Sequence, residues 1–514
     1  MLQDVSVRLG LVWWLLVLPL CVSGCAGRNF VKPLVPAAPQ FSDSGISEAP
    51  NRWWVAFGDQ ELEEKINQAV GGNYTLAAAL QRVRAARALT RREASDLFPD
   101  LNGISDAGFV FGPGRDSERY GLGLDAAYQV DLWGEIQSRV DAERFRANAT
   151  CYDAKAIALT LSSEIARNWF SLQEAHAQVK LLKDQIKTNR TGLELQESRF
   201  GLGLIRSADV LRQRQLLEST LEQSVVAEAR IEVLEHQLAL LLGEMPQTAT
   251  YETGSELPEL PPLPNTGLPS ELLQRRPDVL RDYLAFEAAD RDLASAISSQ
   301  YPRISLSGAV QNIADSPESI FRDWFASLGG QLVAPLLDGG QRRAEVDRNA
   351  ALVFQRFSEY SQTMLIAFRE VEDSLAQEKY QVQRIRHLNE QVKLAGQASA
   401  QLREQYLIGD AEYLDILSAS TTQQSLQRQL LSAQLELVLI RVSLYLALAG
   451  EIEPASPNER PVVLPDRPAL ENEEVEEVDP QEPSEETTDL QDALREAADT
   501  DLPNLETEPA DSQN

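Results

Sequence analysis

Two stretches of this chain, Gly134 to Met245 and Leu336 to Glu453, contain no proline. Each is rich in Ala, Leu, Gln, Glu and Arg, the strong helix formers. In the first, Ile165, Leu172, Val179 and Ile186 recur every seven residues, accompanied by Leu161, Ala175 and Leu182. In the second, Phe354, Phe357, Ser361, Met364, Phe368, Val371, Leu375, Val382 and Ile385 follow a three-four spacing. Both patterns predict long helices packed along coiled-coil seams. A continuous helix over 135–199 would reach about 98 Å. No compact globular enzyme needs such a rod.

Each stretch is broken once by a similar glycine-bearing turn, Arg199–Leu211 (RFGLGLIRSADVL) and Gln405–Leu417 (QYLIGDAEYLDIL). An offset of 206 sets Phe200 on Tyr406, Gly203 on Gly409, Asp209 on Asp415 and Leu211 on Leu417. Glycine permits a reversal that a Cβ would hinder, so two helical hairpins with tips at these turns are expected. The repeat extends upstream. Phe98-Pro99-Asp100-Leu101 parallels Tyr301-Pro302-Arg303-Ile304, and Asp131-Leu132-Trp133-Gly134 parallels Leu336-Leu337-Asp338-Gly339. Between these landmarks the period falls to two. Leu122, Leu124, Ala126, Tyr128, Val130 and Leu132 alternate with Gly121, Gly123, Asp125, Ala127, Gln129 and Asp131, and Ile304, Leu306, Gly308 and Val310 alternate similarly. Strands of about ten residues with one apolar face match a tilted membrane crossing. Two repeats supply four such strands, too few to close a barrel in lipid, where an open edge leaves backbone groups unpaired. The chain must therefore assemble.

The termini add targeting. Arg8 precedes the apolar run Leu9–Val22, too short for a comfortable membrane span and suited to an export signal. Val22-Ser23-Gly24-Cys25 has the shape of a lipobox, which makes Cys25 the expected acylation site, and acylation with two or more chains anchors stably. Ala26 in place of aspartate favours the outer membrane. From Glu451 onward the residues are strongly acidic, proline-punctuated and without aromatics, so a disordered tail is expected. The whole chain carries 47 basic against 78 acidic residues, a net charge of -31, which argues against nucleic acid as a partner. Three scattered histidines, and cysteines confined to Cys21, Cys25 and Cys151, offer no metal cluster and no cofactor chemistry.

Residues 25 to 450 resemble the outer-membrane factor family, the TolC-like channels of tripartite efflux and type I secretion systems, in its lipoprotein branch. The resemblance rests on Trp53-Trp54 with Phe57, Asp59 and Leu62, on Leu132-Trp133-Gly134, on Arg275-Arg276-Pro277-Asp278-Val279, on Pro335-Leu336-Leu337-Asp338-Gly339-Gly340, and on the turn Gly409–Leu417. Asp282-Tyr283 stands where the family usually has Ala-Glu, Leu337 where it has an aromatic, and Tyr301 where it favours phenylalanine. The resemblance implies a mostly α fold with a β-barrel portion. In it, three copies close a 12-stranded barrel in lipid, continued by a helical tunnel across the periplasm. It also implies a periplasmic adaptor and an inner-membrane pump as partners.

On this reading the chain divides into a signal peptide (1–24), a lipid-anchored extended segment (25–60), equatorial helices (61–98), a β-hairpin (99–133) and a helical hairpin (134–245). A linker (246–269), a second-repeat helix (270–300), a second β-hairpin (301–338), a second helical hairpin (339–450) and the tail (451–514) follow. The expected function is passive, gated export of small molecules through an outer-membrane duct, without a catalytic group: neither GxSxG nor HExxH occurs. A duct for type I protein secretion is the alternative, and a structural coiled-coil tether leaves the alternating strands unexplained. At the tips, Leu202, Gly203, Leu204, Ile408, Gly409 and Leu414 are adaptor-contact candidates, with inter-helix packing the first explanation of the leucines. A tunnel open at rest would leak, so Asp209 and Asp415, with Arg206, Arg403, Tyr406, Glu412 and Tyr413 nearby, are gate candidates. Helix capping is the rival role for both aspartates. Asp125, Gln129 and Asp131 are candidates for the channel lumen, where acidic groups would disfavour anion selectivity.

Overall fold

The computed structural model describes residues 40–46, 52–110, 117–448 and 452. The signal segment, Cys25 and the tail beyond Ile452 lie outside the described residues. The helices are α1 (Gln60–Gly72), α2 (Tyr74–Ser95), α3 (Glu135–Gly201), α4 (Ser207–Leu242), α5 (Pro269–Arg275), α6 (Pro277–Ser298), α7 (Gln341–Ile408) and α8 (Tyr413–Leu448). The strands are β1 (Asp100–Val110), β2 (Ser117–Val130), β3 (Arg303–Ala314) and β4 (Phe325–Val333). They form one antiparallel sheet in the order β1-β2-β3-β4, with β1 and β4 as edges.

The internal repeat is closer than the sequence comparison suggested. α2 and α6 each have 22 residues, α3 and α7 have 67 and 68, and α4 and α8 have 36 each. Gly134 and Gly340 are the N-caps of the two rods, both left-handed at φ 71° and 87°. Gly134 therefore corresponds to Gly340 and not to Gly339, and the offset of 206 found at the tips holds over the whole rod. Upstream of the sheet the offset is 203: Tyr74–Ser95 maps onto Pro277–Ser298. The three extra residues lie in the turn between β3 and β4.

Several boundaries differ from expectation. Residues 270–300 form two helices, because Pro277 has no N–H to continue α5 and instead starts α6 at its first position. The segment expected to be extended up to residue 60 contains a 3₁₀ turn, Trp53–Phe57, closed by Gly58 at φ 68°. Its Trp53, Trp54 and Phe57 are buried in the main core with Trp169, Phe170 and Tyr445, and Trp53 stacks on Tyr445 at 5.9 Å between ring centroids. Asp59 explains the rest of that motif. One carboxylate oxygen caps α1 at Leu62 N (3.0 Å), and the other accepts from Trp169 Nε1 (2.8 Å) and Gln173 Nε2 (3.0 Å).

In α3 the expected seam is the core as far as Leu182: Leu161, Ile165, Leu172, Ala175, Val179 and Leu182 are buried, but Ile186 is half-buried and Gln185 takes the inward position beside it. In α7 the expected seam holds in its middle, where Met364, Val371 and Leu375 are buried and Phe357, Ser361 and Phe368 half-buried. It fails at its ends: Phe354 and Val382 are 58% and 40% exposed, and Val353 is buried in place of Phe354. A wall helix has a neighbour inside the chain and a second flank for another copy, so three-four spacing alone cannot say which apolar row faces which side. α8 is long and apolar enough to cross a membrane by length and composition. Its Leu435, Val438, Val442 and Tyr445 instead pack in the main core.

Candidate functional site

The hairpin tips owe their form to two left-handed glycines. Gly203 (φ 73°) donates to Phe200 O at 2.8 Å, and Leu204 donates to Arg199 O at 3.0 Å. Gly409 (φ 87°) caps α7, donating to Tyr406 O, while Asp410 N reaches Gln405 O at 2.9 Å. These paired bonds are the usual satisfaction of a helix end closed by glycine. Around them the apolar side chains are bare: Leu202 is 75% exposed, Leu204 64%, Ile408 80% and Leu414 48%. Inter-helix packing within the chain, the first explanation of these residues, does not account for them.

The gate candidates fall into two groups. Tyr406 and Tyr413 face each other at 5.9 Å between ring centroids, and the Arg199 guanidinium lies over the Tyr406 ring at 4.5 Å. The buried Tyr413 hydroxyl donates to Gln213 Oε1 on α4. Burial first, then the neighbouring Tyr406 and Asp209, pushes the Tyr413 phenol well above its ordinary value. Asp209 pairs with Arg212 at 3.3 Å, a partner the sequence reading did not single out. Asp415 accepts from Glu412 N at 3.2 Å, so capping falls to Asp415 while Asp209 makes an ion pair. Arg206 and Arg403 are exposed, and among the described residues neither forms an in-chain ion pair with either aspartate.

Behind the tips runs a polar seam that the sequence reading missed. Past Leu182 the three-four spacing of α3 continues with Gln185, Asn189, Gly192 and Gln196, and the three polar residues are buried. Asn189 Nδ2 donates to Thr220 Oγ1 of α4 (2.9 Å), and Gln424 Nε2 of α8 donates to Asn189 Oδ1 (2.9 Å). Gln213 Nε2 donates to Asn189 O (2.7 Å) beside Gly192, where a Cβ would lie 2.8 Å from that nitrogen. Arg428 donates to Gln185 Oε1 at 2.7 Å. Continued heptad spacing with polar residues was the available signal. Such residues specify partners by hydrogen bonding where apolar ones would only fill space.

At the opposite end the register sorts the strands into two faces. Leu101, Ala107 and Phe109 share a face with Tyr120, Leu122, Leu124 and Ala126, with Ile304, Leu306 and Val310, and with Leu328 and Leu332. The other face carries Asp100, Asn102, Asp106, Arg119, Asp125, Gln129, Ser305, Ser307, Gln311 and Gln331. Asp125 and Gln129 thus lie with the polar set. Asp131 does not: it lies beyond β2 and accepts from Gln137 N (2.8 Å) in the first turn of α3. Trp133 stacks on Tyr301 and donates to Pro302 O at 2.7 Å, which ties the two repeats together at the foot of the sheet.

The remaining motif residues are structural. Asp338 accepts from Gly340 N (3.0 Å) and Arg342 N (3.3 Å), which holds its carboxyl below the usual range. Gly339 and Gly340 supply the left-handed backbone that follows Pro335. Arg275 closes α5, and Val279 is buried on α6. Arg276, 7% exposed, grips both oxygens of Asp278 (3.0 and 2.7 Å), Glu370 Oε2 of α7 (2.7 Å) and Ala447 O of α8 (3.2 Å). Its counterpart in the first repeat is Asn73, which caps α2 at Leu76 N and donates to Leu241 O at 2.9 Å. Leu241 and Ala447 are themselves related by the offset of 206, so one bond occurs twice.

The sequence profile described as "Outer membrane efflux protein" matches residues 65–244 and 268–450. The pyoverdine export outer membrane protein OpmQ of Pseudomonas aeruginosa is 29% identical over 441 residues, covering 81% of this chain and 91% of OpmQ. The cation efflux system protein CusC of Escherichia coli is 27% identical, with 84% of this chain and 98% of CusC covered. Among solved structures, the outer-membrane channel OprN superposes with a TM-score of 0.77 at 28% identity, over 83% of this chain and 99% of OprN.

Proposed function

Because the chain belongs to the outer membrane efflux protein family, and is an efflux channel of the outer membrane, we propose that three copies close one barrel and one tunnel. Small molecules then pass outward through it without any chemical step. The observation that carries this reading is the polarity of the two equal hairpins. They bring the open-edged, one-side-apolar sheet to one end and the bare leucines of both tips to the other. Unpaired strand edges in lipid require more copies. Apolar side chains bared on two adjacent turns offer a docking surface, and a periplasmic adaptor, linked to an inner-membrane pump, is the partner we assign to it. OpmQ is named for pyoverdine and CusC for cations, so this scaffold serves unlike cargoes, and the pump rather than the duct would make the choice.

The docking test uses Gly203→Val with Gly409→Val. A Cβ at either position meets nothing within 4 Å, so the change acts through the backbone alone. A left-handed conformation costs an L-residue about 1–2 kcal/mol, enough to redraw both tips. Export and adaptor crosslinking should fall while the trimer persists; unchanged export would remove the tips from docking. We assign the resting constriction to the same end, with Asp209, Asp415, Arg206, Arg403, Glu412, Tyr406 and Tyr413 as its residues. Arg403 and Asp415, which do not pair within one chain, are free to pair between copies. Acylation of Cys25 completes the reading. Cys25→Ser should accumulate precursor and incorporate no labelled fatty acid, and normal processing would refute the anchor.

A further inference from the structure

We infer the residue-by-residue pairing between the free edge β4 of one copy and the free edge β1 of the next; this rests on the closed-barrel reading above. Within the chain the two hairpins share one register. Leu101 pairs with Ala126 in the first, and their equivalents Ile304 (offset 203) and Leu332 (offset 206) pair in the second. Gly103 with Leu124 likewise becomes Leu306 with Gly330. The seam between the hairpins, β2 against β3, is the one strand pairing between repeats among the described residues. Closing a barrel demands that strands keep a common tilt and a fixed stagger. The join between copies, β4 to β1, is the same join carried one repeat further.

Transposing β2 to β4 by 206 and β3 to β1 by 203 gives the intermolecular register. Val130 with Ile304 becomes Leu336 with Leu101 of the partner subunit, and Leu122 with Asn312 becomes Leu328 with Phe109 of the partner subunit. Asp125 with Ala309 becomes Gln331 with Asp106 of the partner subunit, and Ala127 with Ser307 becomes Val333 with Ile104 of the partner subunit. Three independent features agree with this alignment. It sets the mainly apolar face of β4 on the same side as that of β1, which any shift by one residue would invert. It brings together side chains that one copy leaves bare: Leu328 is 89% exposed, Leu336 94%, Leu101 68% and Phe109 54%. It also gives a role to the residues after Val333, because β2 runs to Val130, whose equivalent is Leu336. β4 stops short in one chain because β3 begins at Arg303 and offers nothing beyond it. In the assembly, β1 of the next copy would pair the missing turn of strand.

Cysteine pairs on the polar face, within reach of a water-soluble oxidant, test the register. The background is the full-length chain with Cys151→Ser, which removes the free thiol among the described residues. Gln331→Cys with Asp106→Cys should give covalently linked trimers on denaturing gels. Gln331→Cys with Ile104→Cys, or with Gly108→Cys, moves the partner two residues along the strand. These shifted pairs should link at least roughly tenfold less, because a disulfide tolerates only a narrow Cα separation. Should the first double variant fail to assemble, Val333→Cys with Ile104→Cys reports the same register from the next position on the same face. Preferential linking of a shifted pair, or no linking in an intact trimer, overturns the register alone. Absence of a trimer by native mass in the Cys151→Ser parent overturns the closed-barrel reading itself.

Discussion

Arg276→Ala is expected to lower the stability of the protein by about 3 kcal/mol or more, the usual cost of leaving buried partner charges unpaired. Three separate segments lose their common point. Asp278 at the start of α6 keeps a half-buried carboxylate without its fork, Glu370 on α7 loses its ion pair, and the last turn of α8 loses a donor at Ala447 O. Arg276→Lys should recover only part, since a single ammonium cannot span both Asp278 oxygens and reach α7. Asn73→Ala, the equivalent change in the first repeat, removes a neutral cap and should cost nearer 1 kcal/mol. The temperature at which the trimer dissociates in detergent ranks the three. A rank with Asn73→Ala most damaging would refute this account. The pH profile supplies a second check. Burial works to raise the Asp278 carboxyl, but Arg276 and Val279 N–H outweigh it and hold it below its ordinary value. Its contribution is therefore present above about pH 4, where the unfolded carboxyl is ionised, and is lost as pH falls through the lower folded value. In Arg276→Ala that acid-dependent loss should shrink.

Tyr413→Phe should loosen the closed state at the tips. The hydroxyl it removes is buried and bonded to Gln213, which in turn holds Asn189 on α3. An orphaned buried acceptor costs about 1–3 kcal/mol. If that bond exists only in the closed arrangement, the opening equilibrium shifts by roughly 5–150-fold per copy. Single-channel conductance in a planar bilayer should rise while the trimer still assembles. Gln213→Leu, which replaces the acceptor by a similar apolar volume, should act in the same direction. Arg212→Ala, which breaks only the exposed pair to Asp209, should change conductance little, because such pairs are worth about 1 kcal/mol at most. Equal conductance in Tyr413→Phe and the parent would place the constriction elsewhere.

How much of this was legible beforehand differs by scale. Proline-free runs, the heptad in Ile165, Leu172 and Val179, and the alternation through Leu122, Leu124 and Ala126 each depend on residues a few positions apart. Rods, strands and the need for further copies followed from them. The glycine turns were legible for the same reason: a left-handed backbone at Gly203 and Gly409 is a local demand that few other residues meet. The bared leucines were visible as apolar, but their exposure was not, because burial depends on what the rest of the chain brings alongside.

The residues that join the elements were mostly opaque. Arg276 stands out in sequence only as part of a motif, and what it does is hidden until Glu370 and Ala447 are beside it, 94 and 171 positions away. Arg441 is surrounded in sequence by Leu, Ile and Val, yet it grips Glu378 through two nitrogens and holds the proline-rich linker at Pro262 O (3.1 Å). Where the inward row of α7 begins, at Val353 rather than Phe354, depends on how α6 packs against it. The sequence by itself determined the periods, the reversals and the repeat, because those are properties of a chain with its near neighbours. Only the tertiary structure decided which faces are buried, which polar groups are satisfied and which edges stay open, because the partners in each case come from distant segments.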